Sequence, residues 1–413
     1  MHIHPLVTDS ATLADLCAQL AKSDYIAFDT EFMRESTYYP ELCLIQVADN
    51  KQAFAIDPLA EDMDLSPFFD LLTDESILKV VHAGGQDLEI IMNLTGKVPQ
   101  PLFDTQIAAM ALNMGEQVSY ANLVSHFAGE HIDKGARFTD WARRPLSERQ
   151  IIYAIGDVTH LSRIFPKMLN RLRRTGRGVW LDEEMARMTD PTQYRVDPEQ
   201  SWLRVKLPNR KPDVLGRLKA LARWRELEAQ QRNIPRGRLL KDETLADLAA
   251  APPQSQADLA RVRGLATSWS QNAIGARLMT VLAGAEPLPV SEIPTREHRP
   301  GLSSDASLIA DLLKLLLKIR CKEEGVAPRL VARSDELEAL AGGAHDLPLL
   351  SGWRRGLFGD DALALVEGRL GFVVADGKLR MRSLTPHPPA EPVPAPEPGP
   401  ESGAAAAPNP HTD

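Results

Sequence analysis

Tyr25-Ile-Ala-Phe-Asp-Thr-Glu-Phe32 is the stretch on which the fold turns. A short run of strand-forming residues, Tyr25–Phe28, leads straight into two acids one residue apart. Side chains two apart on a strand share a face. Asp29 and Glu31 therefore point the same way at the C-terminal end of that strand, where ligands gather in sheets of this kind. Two carboxylates so placed repel unless a cation sits between them, and a hard divalent ion takes oxygen ligands. A strand fraying into a polar loop would carry the same pair, so the pair alone does not decide the chemistry.

Outward from this stretch, Leu42–Val47, Ala53–Ile56 and Leu78–His82 read as further strands by β-branched and aromatic content. The turn-like Asp49-Asn50-Lys51-Gln52 between the second and third predicts a hairpin. Helices are expected at about 66–73, 86–95 and 105–113. The layout is α/β with a mixed sheet, a three-stranded meander followed by strand–helix units. Ser147-Glu-Arg-Gln150 reads as a capping box opening another helix (Ile151, Ile155, Val158, Leu161), which Pro166 is expected to kink or end.

Three more side chains stand where an apolar element meets a polar end. Asp87, in His82-Ala-Gly-Gly-Gln-Asp-Leu-Glu89, falls in the first turn of a helix, a place the helix dipole favours for any acid. Tyr153 and Asp157, in Tyr153-Ala-Ile-Gly-Asp157, lie one turn apart on one face of the capped helix. That face is also consistent with an ordinary solvent side. Asp104, before Thr105, reads as a strand-end residue and not a metal ligand.

The chain has 413 residues, too many for one ordinary core. Cys17, Cys43 and Cys321 are isolated and suit a reducing cytoplasm. No secretory signal and no membrane span are expected. The net charge of −9 conceals a division along the chain. Residues 1–201 hold 18 Lys/Arg against 30 Asp/Glu, residues 202–285 hold 15 against 7, and residues 302–385 balance at 12 and 12. Acid lies where cations would bind, and base where a phosphate backbone would lie. Arg204, Lys206, Arg210, Lys211, Arg217, Lys219, Arg223 and Arg225, with Trp202 and Trp224 among them, suggest a phosphate-tracking surface; a solvated helix face is the alternative.

Prolines at 191, 198, 208 and 212 mark one linker, and those at 287, 289, 294 and 300 a second. A faint repeat, offset by 92, aligns the stretch from Asn233 with that from Gly325, so two all-α helical bundles of like connectivity are expected. Residues 386–413 are Pro/Ala-rich and of low complexity, and are expected to be disordered.

Taken together, Asp29-Thr30-Glu31, Asp87, and Tyr153 with Asp157 resemble the three motifs of the DEDD family of 3′–5′ exonucleases, in the right order. Tyrosine four before Asp157 resembles the tyrosine subtype, and Ile152 stands where the other subtype carries histidine. His82-Ala-Gly and Phe103-Asp-Thr-Gln106 look like ribonuclease D in particular. Leu218-Lys-Ala-Leu-Ala-Arg-Trp-Arg225 and Arg232-Asn-Ile-Pro-Arg236 resemble the helicase-and-RNase-D C-terminal (HRDC) domain.

The resemblance implies a ribonuclease H-like exonuclease domain over 1–178, HRDC-type bundles over 208–285 and, more diverged, 302–385, and a tail over 386–413. It implies two divalent ions, Mg²⁺ or Mn²⁺. Asp29 would bridge them, with Glu31 and Asp157 at the ion on the water side and Asp87 at the second. Tyr153 would orient the nucleophile, because a phenol with its ordinary pKa of about 10 is a poor base alone. Thr30, Phe32, His82 and Tyr153 are the expected substrate contacts, although Phe32 and His82 also fit as core residues. The implied activity is release of 5′-mononucleotides from RNA 3′ ends, in tRNA precursors and structured small RNAs. No membrane and no obligate protein partner are expected. Carboxylates do not distinguish sugars, so a DNA exonuclease on the same fold and a non-catalytic RNA-binding protein stay open.

Overall fold

The computed structural model describes residues 1–132, 135, 139–206, 211–293 and 302–384. Arg210, the linker prolines at 208, 294 and 300, and the tail from 386 lie outside the described residues. Six strands form one mixed sheet: β1 (His2–Ile3), β2 (Tyr25–Met33), β3 (Glu41–Ala48), β4 (Gln52–Ile56), β5 (Leu78–Val81) and β6 (Leu102–Asp104). Their order is β1-β4-β3-β2-β5-β6. The expected hairpin is β3–β4, turned by Asp49, whose carboxylate accepts from the Lys51 and Gln52 amides. The short β1 and the helix α1 (Ser10–Leu20) were not foreseen from the sequence.

β2 is longer than its predicted Tyr25–Phe28. It pairs with β3 from Ala27 to Met33, with a bulge between Glu31 and Phe32, so Asp29 and Glu31 are strand residues and not a frayed end. Its parallel partner β5 stops short: the last pair is Ala27 with Val80. From Asp29 onward one edge of β2 is open, and the cleft at that opening is the feature the helices are arranged around. α2 (Ser66–Thr73) and α3 (Gly85–Thr95) cover the face of Ile26 and Phe28. α4 (Thr105–Ala111), α5 (Tyr120–Ala128) and α6 (Glu148–Thr175) cover the face of Ala27.

α6 begins at the expected capping box, Ser147 with Gln150. It does not end at Pro166; the helix runs on to Thr175. A proline lacks the N–H that would bond the carbonyl four residues back, here that of Ser162. The Tyr25 hydroxyl donates to that carbonyl at 3.0 Å. A side chain from β2 thus fills the vacancy that would otherwise weaken the helix.

Leu181, and Met185 on α7 (Asp182–Met188), pack into the same core, so the first unit runs past residue 178. Pro191 and Pro198 each open a 3₁₀ turn, at Pro191–Tyr194 and Pro198–Arg204, instead of a featureless linker. The first C-terminal module holds α8 (Pro212–Gln231), α9 (Arg236–Leu239), α10 (Asp242–Ala250) and α11 (Ala273–Ala283). The second holds α12 (Ser304–Glu324), α13 (Pro328–Val331), α14 (Ser334–Ala341), α15 (Gly352–Arg354) and α16 (Asp360–Val366). It is not wholly helical, for it closes with an antiparallel ribbon, β7 (Leu370–Ala375) and β8 (Lys378–Ser383).

The offset of 92 survives folding. α8 and α12 each end near a left-handed residue, Asn233 at φ 48° and Gly325 at φ 64°, and each is followed by a short helix and then a longer one. Both corners also touch the first domain. Asn233 Oδ1 accepts from the Tyr38 and Tyr39 amides at 3.1 and 3.0 Å. The Gly325 carbonyl accepts from Arg177 at 2.9 Å, and the Ala327 amide donates to the Met110 carbonyl at 2.9 Å. The second module shares one hydrophobic core with the sheet domain, and Trp180 stacks on Trp353 at 4.4 Å between ring centroids. No helix among the described residues is long and apolar enough to cross a membrane.

The Pro166 arrangement is testable by a double-mutant cycle. Tyr25→Phe alone should lower stability by about 1–2 kcal/mol, the usual consequence of leaving a buried carbonyl unpartnered. In a Pro166→Ala background, where residue 166 supplies its own N–H, that loss should shrink by about 1 kcal/mol. Denaturant unfolding of the four proteins measures the coupling, and strictly additive effects would refute it.

Candidate active site

The open edge of β2 forms one wall of a cavity of about 960 Å³. Asp29 and Glu31 project from β2 toward α6, and Asp157 projects back. Carboxylate oxygens of these three lie within 4.8 Å of one another. Asp87 borders the same cavity but is not in that trio. It arrives from α3 on the other face of the sheet, where its Oδ1 accepts from the Thr30 amide at 3.1 Å and from the Thr30 hydroxyl. Alternation along β2 explains both arrangements: Asp29 and Glu31 face α6, while Thr30 between them faces α3. Thr30, expected to touch substrate, borders the cavity and donates its hydroxyl to Asp87.

Asp87 is aimed by a turn that Asp104 holds. The Asp104 carboxylate caps α4 through the Gln106 amide at 2.7 Å and also accepts from the Ala83 and Gly84 amides at 3.1 and 3.0 Å. Ala83 adopts φ 55°, and a Cβ on Gly84 would come within 2.6 Å of the Val81 side chain. Only glycine fits that approach. Asp104 is therefore more than the strand-end residue expected from its position, since it fixes the entry of the helix that carries Asp87.

Tyr153 borders the cavity one turn before Asp157, its ring 6.2 Å from that of Trp141. Phe32 borders the cavity and packs against the core under α3. His82 borders it too, with Nδ1 3.0 Å from the Thr105 hydroxyl, and burial lowers its pKa.

Two further residues at the cavity, Tyr120 and Trp141, carried no motif, and neither did Gln46, the partner of Asp29 across the sheet. Tyr120 donates its hydroxyl to the Asp157 carbonyl, which ties α5 to the turn of α6 that bears this acid. Its own pKa is raised well above the usual value by burial first and then by the Asp157 and Asp29 carboxylates. Trp141 is buried with its indole N–H unpartnered, and Gln46, directly across from Asp29 on β3, is fully buried with both amide atoms unpartnered. A sequence signal existed only for Tyr120, which follows the helix cap Ser119.

The acids are held at an electrostatic cost. Burial, and then Asp87, Asp157 and Glu31, push the Asp29 carboxyl well above the ordinary range. Burial raises Asp87 to about 6 against the pull of the Thr30 hydrogen bonds. An all-oxygen donor set that repels itself suits a hard divalent cation, and among the described residues no nitrogen or sulfur ligand joins the trio.

Four of the eight cations expected to form the basic patch are engaged within the protein. Arg225 is buried and bonds the Leu240 carbonyl and Asp242. Arg217 donates to the Ala249 carbonyl, Lys219 pairs with Glu292 and Arg223 with Glu199. Trp202 and Trp224 are core residues, not stacking platforms.

A family model described as 3'-5' exonuclease matches residues 5–173, and one described as HRDC domain matches residues 214–282. Over 92% of its length the chain is 64% identical to a ribonuclease D of Sphingobium indicum, covering 99% of that protein. It is 60% identical to a ribonuclease D of Zymomonas mobilis over 92% of its length, covering 98% of the relative. Among solved structures it resembles Escherichia coli RNase D, described as an exoribonuclease involved in structured RNA processing. That match has a TM-score of 0.75 and 30% identity over 89% of this chain and 99% of the other.

The charge state of Asp87 gives a prediction for the metal-free protein. A carboxyl whose folded pKa is raised favours the protonated folded state. Stability is therefore greatest below its unfolded value near 4 and declines as pH climbs through about 6, by about 3 kcal/mol for Asp87. Asp87→Asn keeps an acceptor for Thr30 and removes the charge. In EDTA at pH 7.5 its thermal midpoint should exceed that of the parent, and the gap should close by pH 4. Equal midpoints at pH 7.5 would contradict this.

Proposed function

The chain belongs to the ribonuclease D family of 3′–5′ exoribonucleases, and we propose that it shortens RNA at the cavity holding Asp29, Glu31, Asp87, Tyr153 and Asp157, releasing 5′-mononucleotides. The observation that carries this reading is the convergence of Asp29, Glu31 and Asp157 within 4.8 Å, from elements far apart in sequence. Divalent metal use follows from the family. Two ions, Mg²⁺ or Mn²⁺, are our reading of the donor set, with Asp29 shared, Glu31 and Asp157 completing one position and Asp87 the other. When bound, such a pair polarises the scissile phosphate and acidifies a water molecule.

The chain's own residues do the rest. Thr30 and the Asp104-held turn keep Asp87 aimed. Tyr120 fixes the α6 turn that carries Asp157. The Tyr153 hydroxyl, beside the acids, orients the attacking water or relays its proton. Phe32 and His82 border the space for the terminal base and sugar, where an aromatic can stack. Domain limits of 1–178, 208–285 and 302–385 remain our division, with the first extended to take in Leu181 and Met185. As substrates we propose tRNA precursors and other structured small RNAs in the cytoplasm, because structured RNA processing is what the E. coli relative is described as doing.

Full-length protein given 5′-labelled RNA and matched DNA with Mg²⁺ should produce a ladder descending from the 3′ end on RNA. A ladder on DNA alone would favour a deoxyribonuclease. Asp29→Asn should fold normally by circular dichroism yet lose more than about 100-fold in turnover, beyond the 10–100-fold typical of losing a supporting partner. Near-parental turnover at saturating metal would refute the site.

A further inference from the structure

A second cavity, of about 650 Å³, lies between the first domain and the first helical module. Arg34 lines both this groove and the catalytic cavity, so the two adjoin. The groove's charged walls are Arg34, Arg195, Arg204 and Arg236 against a single acid, Glu89. Glu89 is already held by Arg34 through two hydrogen bonds of 2.8 and 2.7 Å. Arg236 lies 3.9 Å from buried Glu226. Arg195 and Arg204 are exposed and, among the described residues, carry no ion pair. Two uncommitted guanidinium groups thus share one concave wall, Arg195 coming from the acidic stretch 1–201 and Arg204 from the basic one that follows. Beside them Tyr39 is 37% exposed, with its amide fixed by Asn233 of the helical module.

We propose that this groove seats the single-stranded RNA immediately 5′ of the bond being cut, Arg195 and Arg204 taking backbone phosphates and Tyr39 stacking on a base. It rests on the reading of the adjoining cavity as the place of cleavage and adds a second substrate site walled by the first domain, the segment that carries Arg195 and Arg204, and the first helical module. The chemistry fits: guanidinium forks match phosphate oxygens, and an aromatic face accepts any base. Phosphate contacts position without reading sequence, so the groove selects for length and single-strandedness. An acidic protein segment is the competing occupant.

The test uses the full-length R195Q/R204Q variant with Mg²⁺. Two substrates are compared: a dinucleoside monophosphate, whose one phosphate is the scissile one, and an unstructured oligoadenylate long enough to reach both cavities. We expect unchanged kcat/KM on the short substrate and roughly tenfold loss on the long one at moderate salt. The slope of log(kcat/KM) against log[salt] on the long substrate should flatten by about 1.4, or 0.7 for each lost phosphate contact on a single strand. Tyr39→Leu should weaken the long substrate without moving that slope. An unchanged salt slope in R195Q/R204Q, or equal losses on both substrates, would overturn the proposal, and the former result would leave the acidic segment as occupant. Absence of metal-dependent turnover in the parent protein would instead count against the cleavage site itself.

Discussion

Like charges held together against their repulsion govern this molecule. Asp29 and Glu31 are locked by the pairing of β2 with β3, and Asp157 by a helix whose buried face is part of the core. None of the three can withdraw without unpicking a strand or a helix. Burial and the neighbouring acids raise the free energy of ionised Asp29, which an oxygen-seeking cation relieves. The surrounding arrangement serves that confinement. β5 stops early to leave the edge of β2 open, Asp104 sets the turn into α3, and Tyr120 braces the helix behind Asp157.

The sequence made the sheet legible where periodicity was strong, in the β3–β4 hairpin, α2, α3 and the capping box of α6. It misjudged the length of β2 because two acids and a threonine look like a strand end. Only the tertiary pairing with β3 shows that they continue it. Pro166, expected to kink or end α6, does not end it, and the carbonyl it frees, that of Ser162, is taken by Tyr25, 137 positions from Ser162 in the chain. No local rule reports a partner at that distance.

The site acids were legible as separated motifs, but their division of labour was not. Sequence spacing says that Thr30 points away from Asp29, yet not that it points at Asp87. The cationic module shows the opposite failure. A count of 15 bases against 7 acids in residues 202–285 suggested one broad contact surface. Folding consumes several of those charges in caps and internal pairs, and Arg225 lies in the interior. What remains free is decided by topology and not by composition. Arg195, which joins Arg204 at the groove, lies outside the segment that looked basic.

The two left-handed corners, Asn233 and Gly325, give the helical modules equivalent joints. Attachment through such a corner leaves the rest of each module's surface unconstrained by the joint. Residues 202–285 carry a surplus of eight positive charges, while residues 302–385 are electrically balanced and share the core of the first domain, with Trp353 stacked on Trp180.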